Sequence, residues 1–523
     1  MAYVGQVTGA NQWIAPDLQT YPASYIIHED NSTYYAQGFG GLPNQSGTDA
    51  ATVIQGAINN LPSGGGKLFF KAGHYNLTNQ TSPIGDLPYC GLNVNKPLTI
   101  DGEGIDIVKF QTGAIGATGA YFVFLASNSP PISGVTIRNI TLDAPDYVVG
   151  AGAKWDIGIW FKGISNVVLE NVKMNNCGWR FDGSSTSWSD TYVSLSTDAK
   201  NIFIKNVYVN KVLGSCTLAQ VRNVQIEGGL IYQGQDDPLL ILGAGQAIKI
   251  NNLIIDGPDV IPSGAASGGI YLLNDGSLTT NVFAVSDIKI TNTTIRKVVS
   301  GGSGVALLNV ANVSITDCTL KFNSAHGVTN MGGGSKAKDI KIIGNTISEN
   351  SNFGILFAAE GVGAYFRDIA IKENQIYENA NEAIHLDSTI SGAVTRINIL
   401  GNETYGQNGN ARGLRIESDQ VLTNINVQGN IFADTNPFTT NLWSGGVISS
   451  GMIRDNVGIP NQGTSPGTGA QQTIAHGLSA TPTNIVLTPR VSGMTLYESQ
   501  IPDATNIYIT ATNTNAYYWK AEF

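Results

Sequence analysis

A chain of 523 residues with 62 glycines, 42% hydrophobic residues and only 13% charged ones has ample material for a large core. Disorder needs the opposite balance, and a helix-rich protein is excluded because glycine is costly inside helices while Lys and Glu are scarce. The formal charge of −10 sets nucleic acid aside as a partner, since that binding rests on clustered Lys and Arg neutralising phosphates. No run of about 18 apolar residues occurs, so no membrane span is expected. The start, Met1-Ala-Tyr-Val-Gly-Gln, lacks the basic and apolar regions of a secretory signal. Export is then expected after removal of a leader, or as part of a virus particle. The cysteines at 90, 177, 216 and 318 form no C-x-x-C pair and are expected as buried thiols.

Along the chain, residues 1–47 read as an N-terminal segment. Thr48-Asp49 then offers an N-cap for a short helix whose Val53, Ile54, Ile58 and Leu61 share one face. Pro62-Ser-Gly-Gly-Gly stops it, and Lys67-Leu-Phe-Phe opens strand structure. From there one phrase recurs: Gly134-Val-Thr-Ile, Asn166-Val-Val-Leu, Asn201-Ile-Phe-Ile, Asp287-Ile-Lys-Ile, Asn312-Val-Ser-Ile, Asp339-Ile-Lys-Ile, Asp368-Ile-Ala-Ile, Arg396-Ile-Asn-Ile and Asn424-Ile-Asn-Val. Each alternates so as to bury one face. A turn and a second short strand follow, as in Gly304-Val-Ala-Leu, Gly354-Ile-Leu-Phe, Ala383-Ile-His-Leu and Gly413-Leu-Arg-Ile. Asn345, Asn374, Asn402 and Asn430 recur at intervals of 29, 28 and 28 residues, which predicts a side-chain ladder.

One such coil cannot bury its own apolar face, whereas coils stacked at roughly 4.8 Å can. The repeat therefore predicts an all-β fold, a single-stranded parallel β-helix over 48–459 with its N-terminal capping helix and about a dozen coils. Pro460-Asn-Gln-Gly-Thr-Ser-Pro-Gly-Thr-Gly reads as a linker over 460–470, and 471–523 as a small β-sandwich-like module with strands such as Ile485-Val-Leu and Ile507-Tyr-Ile-Thr.

Residues 34–77 resemble the N-terminal segment of the pectate-lyase-like superfamily, whose β-helices are right-handed. The closing module resembles the C-terminal pieces of phage tail and cell-surface proteins. These resemblances imply a polysaccharide partner, an extracellular or virion-associated place and, in a tailspike setting, a homotrimer.

Four of the seven tryptophans, Trp155, Trp160, Trp179 and Trp188, fall in one region. Core positions of a narrow β-helix favour Val, Ile and Leu, so these indoles are expected on loops or the outer face, as platforms for sugar C–H faces. Asp190 and Asp236-Asp237 precede outward strands there, two coils or roughly 9.5 Å apart, which is within the range that admits a water between two glycosidase carboxyls. Adjacent carboxylates also resist joint ionisation, a route to one proton-carrying acid. Gly234-Gln-Asp-Asp-Pro-Leu-Leu-Ile resembles the paired-aspartate motif of polygalacturonases, and Trp188-Ser-Asp190 could stand for their Asn-Thr-Asp. The resemblance implies a glycoside hydrolase with Asp236 or Asp237 as general acid and Asp190 as base, sugars being held by Trp160, Trp179, Arg180, Trp188 and Tyr271. The sequence departs from that family where Arg415-Ile-Glu417 lacks the expected Lys.

Two rival readings stand beside it. Asn323-Ser-Ala-His326-Gly-Val-Thr-Asn330 resembles the His-Gly coil of mannuronan epimerases. His385 and Asp387 are expected to align with Arg415 and Glu417 on the next coil, all facing outward. A uronate lyase or epimerase needs a base and a carboxylate-neutralising cation, which His326, His385 and Arg415 would supply. The third reading is a non-catalytic glycan-binding tailspike or adhesin. No metal motif or cofactor signal is present. Ca²⁺, as in pectate lyases, is the one ion the resemblance allows, and no dense acidic loop calls for it.

Overall fold

The computed structural model describes residues 23–522 apart from 78–79, 82–88, 113–123, 127–131, 145–156, 184–198, 212–215, 233–236, 244, 258–267, 275–284, 300, 331–334, 361–362, 391–392, 409–410, 419–420, 435, 443–446, 449, 458–461, 477–480 and 504–505. The chain divides into two compact units, Met1–Gly302 and Ser303–Phe523.

In the first unit, Asp49 caps the helix Ala50–Asn60 by accepting from the Ala51 and Thr52 amides. Val53, Ile54, Ile58 and Leu61 are buried, as their spacing predicts. The strands Tyr25–Asp30 and Thr33–Gly38 form an antiparallel hairpin, and Tyr25–Asp30 continues parallel onto Gly66–Phe70. The coils follow, each recurring phrase lying directly on the one before. Ile100, Ile137, Leu169, Ile204, Ile226, Ile250 and Ile290 are register partners in turn, and all are essentially fully buried. This inward column is what alternation on one strand becomes when strands stack in register.

A second parallel sheet in this unit runs through Ile157–Lys162, Gly178–Asp182, Cys216–Ala219, Leu239–Leu242 and Gly268–Leu273. Asn166, Asn201 and Asn223 all sit at positive φ, a conformation Asn tolerates better than most residues, and each amide donates to the preceding coil.

The second unit repeats the pattern. The expected ladder is present and longer than its sequence interval showed. Asn345 donates from backbone and side chain to Asn374 Oδ1, Asn374 to Asn402, Asn402 to Asn430, and Asn430 to Asn456. Each ladder residue follows a residue at positive φ: Gly344, Glu373, Gly401, Gly429 or Asp455. That left-handed step turns the corner and swings the next side chain inward. A parallel ladder of Asn323, Asn350, Asn379 and Gln407 runs one corner on.

The C-terminal strands form two three-stranded antiparallel sheets, Gln462–Pro466 with Ala516–Glu522 and Asn484–Pro489, and Gln471–Ala475 with Asn506–Ala511 and Leu496–Gln500. The expected linker over 460–470 thus contains a strand. Its Gly, Ser and Pro read as turn chemistry, but pairing with Ala516–Glu522 holds Gln462–Pro466 extended and leaves Pro466 at the strand's end, where proline is tolerated. Cys177, Cys216 and Cys318 are buried thiols, and burial pushes Cys216 up to about 12. Cys90 has no described side chain.

Candidate active site

In the first unit, Trp160, Arg180, Thr217, Leu240 and Tyr271 are successive register partners on the second sheet. Three residues expected to hold sugars thus share one outward row. Trp160 and Tyr271 are nevertheless buried, and Trp160 Nε1 donates to Asp182 Oδ2 at 2.8 Å. Arg180 reaches the same carboxylate at 2.7 Å and lies over the Trp160 ring at 5.4 Å. Asp182, which sequence reasoning did not single out, is the hub of this group. Its signal was the alternation Trp179-Arg180-Phe181-Asp182, which puts Arg180 and Asp182 on one face. Replacing Trp160 with phenylalanine removes one bond to a buried carboxylate and leaves space where the larger ring packed, so unfolding in guanidinium should show at least about 1.5–3 kcal/mol less stability.

Trp179 departs from expectation. It points inward beside Ile159, its register partner across the irregularity at Gly158, and is 1% exposed. It is a core residue and offers no face to a sugar, because alternation outweighs side-chain size at this position. Asp237 is buried, and its Oδ1 accepts from the Gly268 amide of the next coil at 2.8 Å. Asp190, Asp236 and Trp188 lie outside the described residues, as does Trp155.

The second unit gathers a denser group on its strands Val328–Asn330, Ile355–Glu360, Ile384–Ile390 and Arg412–Ser418. Backbone bonds from Gly327 to Phe353, Gly354 to Glu382 and Ala383 to Arg412 set four corner residues in one column: His326, Phe353, Glu382 and Arg412. The coils approach closely here. A Cβ on Gly354 would meet Ile376 Cγ2 at 2.5 Å and the Ala383 carbonyl at 2.6 Å. On the strands themselves His385 pairs with Arg415 and Asp387 with Glu417, as the sequence spacing predicts. Ile384, Leu386, Leu414 and Ile416 fill the core between them.

The outward side chains form one network. His385 Nε2 lies 3.1 Å from Glu417 Oε2. Arg415 bonds Glu382 at 3.1 Å and also Glu417, while Arg412 lies 3.5 Å from Glu382. The His326 and Phe353 rings stack at 5.3 Å, and Phe353 meets His385 at 4.9 Å. Glu382, His385 and Glu417 are buried, whereas Asp387 is half-buried. Donor atoms of His385, Asp387 and Glu417 lie within 4.8 Å of one another. One imidazole nitrogen and two carboxylates could hold a divalent cation, but Arg415 already brings a positive charge to the same carboxylate.

Burial holds His385 below the usual histidine range against the pull of Glu382, Asp387 and Glu417, with Arg415 adding to the depression. The ring is therefore neutral near pH 7. A carboxylate only accepts, so the bond to Glu417 assigns the proton to Nε2. Nδ1 is left as an acceptor with no partner among the described residues. Burial, with His385 nearby, lowers His326 to about 4.

A depressed histidine makes the unfolded chain bind more protons than the folded one between the two pKa values. The stability that His326 contributes is thus complete above pH 6.5 and is lost as pH falls toward about 4. His326→Phe keeps a ring against Phe353 and should flatten urea stability against pH across that window. An unchanged slope would assign the acid sensitivity elsewhere.

Residues 268–452 match the family model described as right handed beta helix region. The chain has the right-handed parallel β-helix fold. The tailspike protein of E. coli bacteriophage HK620, solved as a double mutant in complex with pentasaccharide, is similar with a TM-score of 0.60 at 11% identity, covering 91% of this chain and 90% of that one. The A-module of Azotobacter vinelandii mannuronan C-5 epimerase AlgE6 gives 0.47 at 15% identity over 78% and 95% of the two chains. The Streptococcus pneumoniae surface protein and adhesin PfbA gives 0.48 at 14% over 78% and 97%. At 11% identity the likeness to the tailspike is one of fold. No curated protein matches the sequence. Among the described residues, no helix of this β-helix protein is long and apolar enough to cross a membrane.

Proposed function

We propose that this protein is a glycoside hydrolase acting on a polysaccharide laid across the outward face of the second unit, with Asp387 and Glu417 as its reacting carboxyls. The observation that carries the reading is their placement on neighbouring coils, within 4.8 Å, in unlike surroundings. Glu417 is buried and accepts from Arg415 and His385, contacts suited to a charged carboxylate that attacks or stabilises the sugar cation. Asp387 is more exposed and stands where it can protonate the leaving oxygen and later activate water. His385 and Arg415 position Glu417, and His326 with Phe353 offers a flat ring surface beside them.

Elimination or epimerisation at a uronate is supported by the bare Nδ1 of neutral His385, the base such a reaction needs. It is disfavoured because Arg415 is already held by two carboxylates and is not free to neutralise a third. The fold shared with a pentasaccharide-bound tailspike supports a glycan as the ligand and an extracellular or virion surface as the place of action. A homotrimer belongs to that same setting, and Ca²⁺ to the pectate-lyase resemblance.

Incubation with a panel of neutral and acidic polysaccharides tests the reading. Hydrolysis releases reducing ends without the ultraviolet absorbance of a new C4–C5 double bond. Absorbance rising in step with chain cleavage would establish elimination instead, and tight binding without release of ends would establish a pure binder.

A further inference from the structure

The recurring-phrase sheet of the second unit carries a different kind of surface. Its strands Lys336–Ile343 and Tyr365–Lys372 are register partners. Ala337, Ile340, Ile342, Phe366, Ile369 and Ile371 point inward and are fully buried. The outward positions hold Lys336, Lys338 and Lys341 on one strand, and Tyr365, Arg367 and Lys372 on the next. Lys338 stands directly opposite Arg367, and like charges in that relation destabilise a sheet.

The nearby acids do not offset this. Asp339 lies 3.3 Å from Lys338, and Asp368, whose field also reaches Arg367 and Lys338, makes its hydrogen bonds to Arg396 of the following coil. Among the described residues Lys336, Lys341, Arg367 and Lys372 make no ion pair, and Arg367 rests over the Tyr365 ring at 5.0 Å. Cations gathered this closely without acidic partners repel one another, and an anionic ligand lying across them would relieve that repulsion.

We propose that this face is a second glycan-binding surface, for a polysaccharide that carries carboxylate groups. Lysines two apart on one strand face the same way roughly 7 Å apart, and neighbouring strands add cations at roughly 4.8 Å. That lattice suits a chain with one charge per sugar. Duplex nucleic acid carries a far denser charge, which four free cations on an acidic protein match poorly. The surface extends the hydrolase reading by naming an acidic polymer, and its occupation does not depend on cleavage.

Surface plasmon resonance on immobilised polygalacturonate, neutral dextran and duplex DNA tests this, using the full chain with Asp387→Asn so that cleavage does not intrude. Polygalacturonate should be captured, dextran should not, and capture should weaken with salt. The triple variant Lys336→Gln, Lys341→Gln, Lys372→Gln should lose at least about tenfold in affinity, and its salt slope should fall by about two. Lys341→Gln alone, at an exposed position, should show part of that loss with unchanged thermal unfolding. Equal capture by the triple variant overturns the proposal. So does tighter capture of DNA than of polygalacturonate, or salt-sensitive self-association without polysaccharide binding, which would make the face a contact between copies.

Discussion

Asp387→Asn should lower kcat on a cleaved polysaccharide by about 10³-fold, within the range that one positioned acid–base group supplies. The side chain is half-buried and lies outside the core column, so thermal unfolding should stay within the small range of surface substitutions. Asp237→Asn serves as the comparison. Its carboxylate is buried against the Gly268 amide, and the substitution should disturb stability more than turnover. The reverse result, lost turnover at Asp237 and none at Asp387, would return the reaction to the first unit. The same reaction should retain anomeric configuration, because carboxylate oxygens within 4.8 Å of each other leave no room for a water between them, whereas inverting pairs stand about 6.5–9.5 Å apart. Proton NMR of the first product formed distinguishes the two outcomes.

The second large effect belongs to the amide ladder. Asn402 donates to the Ile371 carbonyl and to Asn430 Oδ1, both at 2.9 Å, and its own Oδ1 receives the Asn374 backbone and side-chain N–H groups. All of this is buried, so Asn402→Ala leaves donors and acceptors on both neighbouring coils without partners. Each such group costs about 1–3 kcal/mol, and a total loss of at least about 4 kcal/mol is expected in guanidinium unfolding. Asn381→Ala removes a bond of similar length, 2.6 Å to Asn352, but an exposed one. It should cost within about 0.5 kcal/mol. Equal effects from the two variants would show that the ladder contributes no more than a surface contact.

The contrast between these two asparagines explains what the sequence could disclose. Asn345, Asn374, Asn402 and Asn430 were legible because stacking turns a fixed interval into a hydrogen-bonded column, and the same register made the pairing of His385 with Arg415 and Asp387 with Glu417 legible. Parity places Trp160, Arg180 and Tyr271 in one outward row, but the expectation that Trp179 also holds sugar ignored it, since neighbours in a strand face opposite ways. Depth was not legible. Trp179 has the size of a loop or surface aromatic in a narrow coil, yet its position beside Ile159 puts it inside. Glu382 gave no motif, because its role comes from a corner column shared with His326, Phe353 and Arg412 that only the stacked backbone creates. Asp182 was half hidden for a related reason: Arg180 stands two residues away on its own strand, but Trp160, its other partner, lies on the preceding coil. The expected linker failed differently, since its Gly, Ser and Pro describe local turns while a distant strand, Ala516–Glu522, decides the conformation.

A crystal structure of the Asp387→Asn protein soaked with an oligosaccharide that the native protein cleaves would show whether Asp387 and Glu417 flank the bond that breaks. Sugar density should lie across the strands Ile384–Ile390 and Arg412–Ser418, with a glycosidic oxygen within about 3 Å of residue 387 and an anomeric carbon facing Glu417. Sugar bound instead along the row of Trp160, Arg180 and Tyr271, with the Asp387 and Glu417 region empty, would contradict that placement.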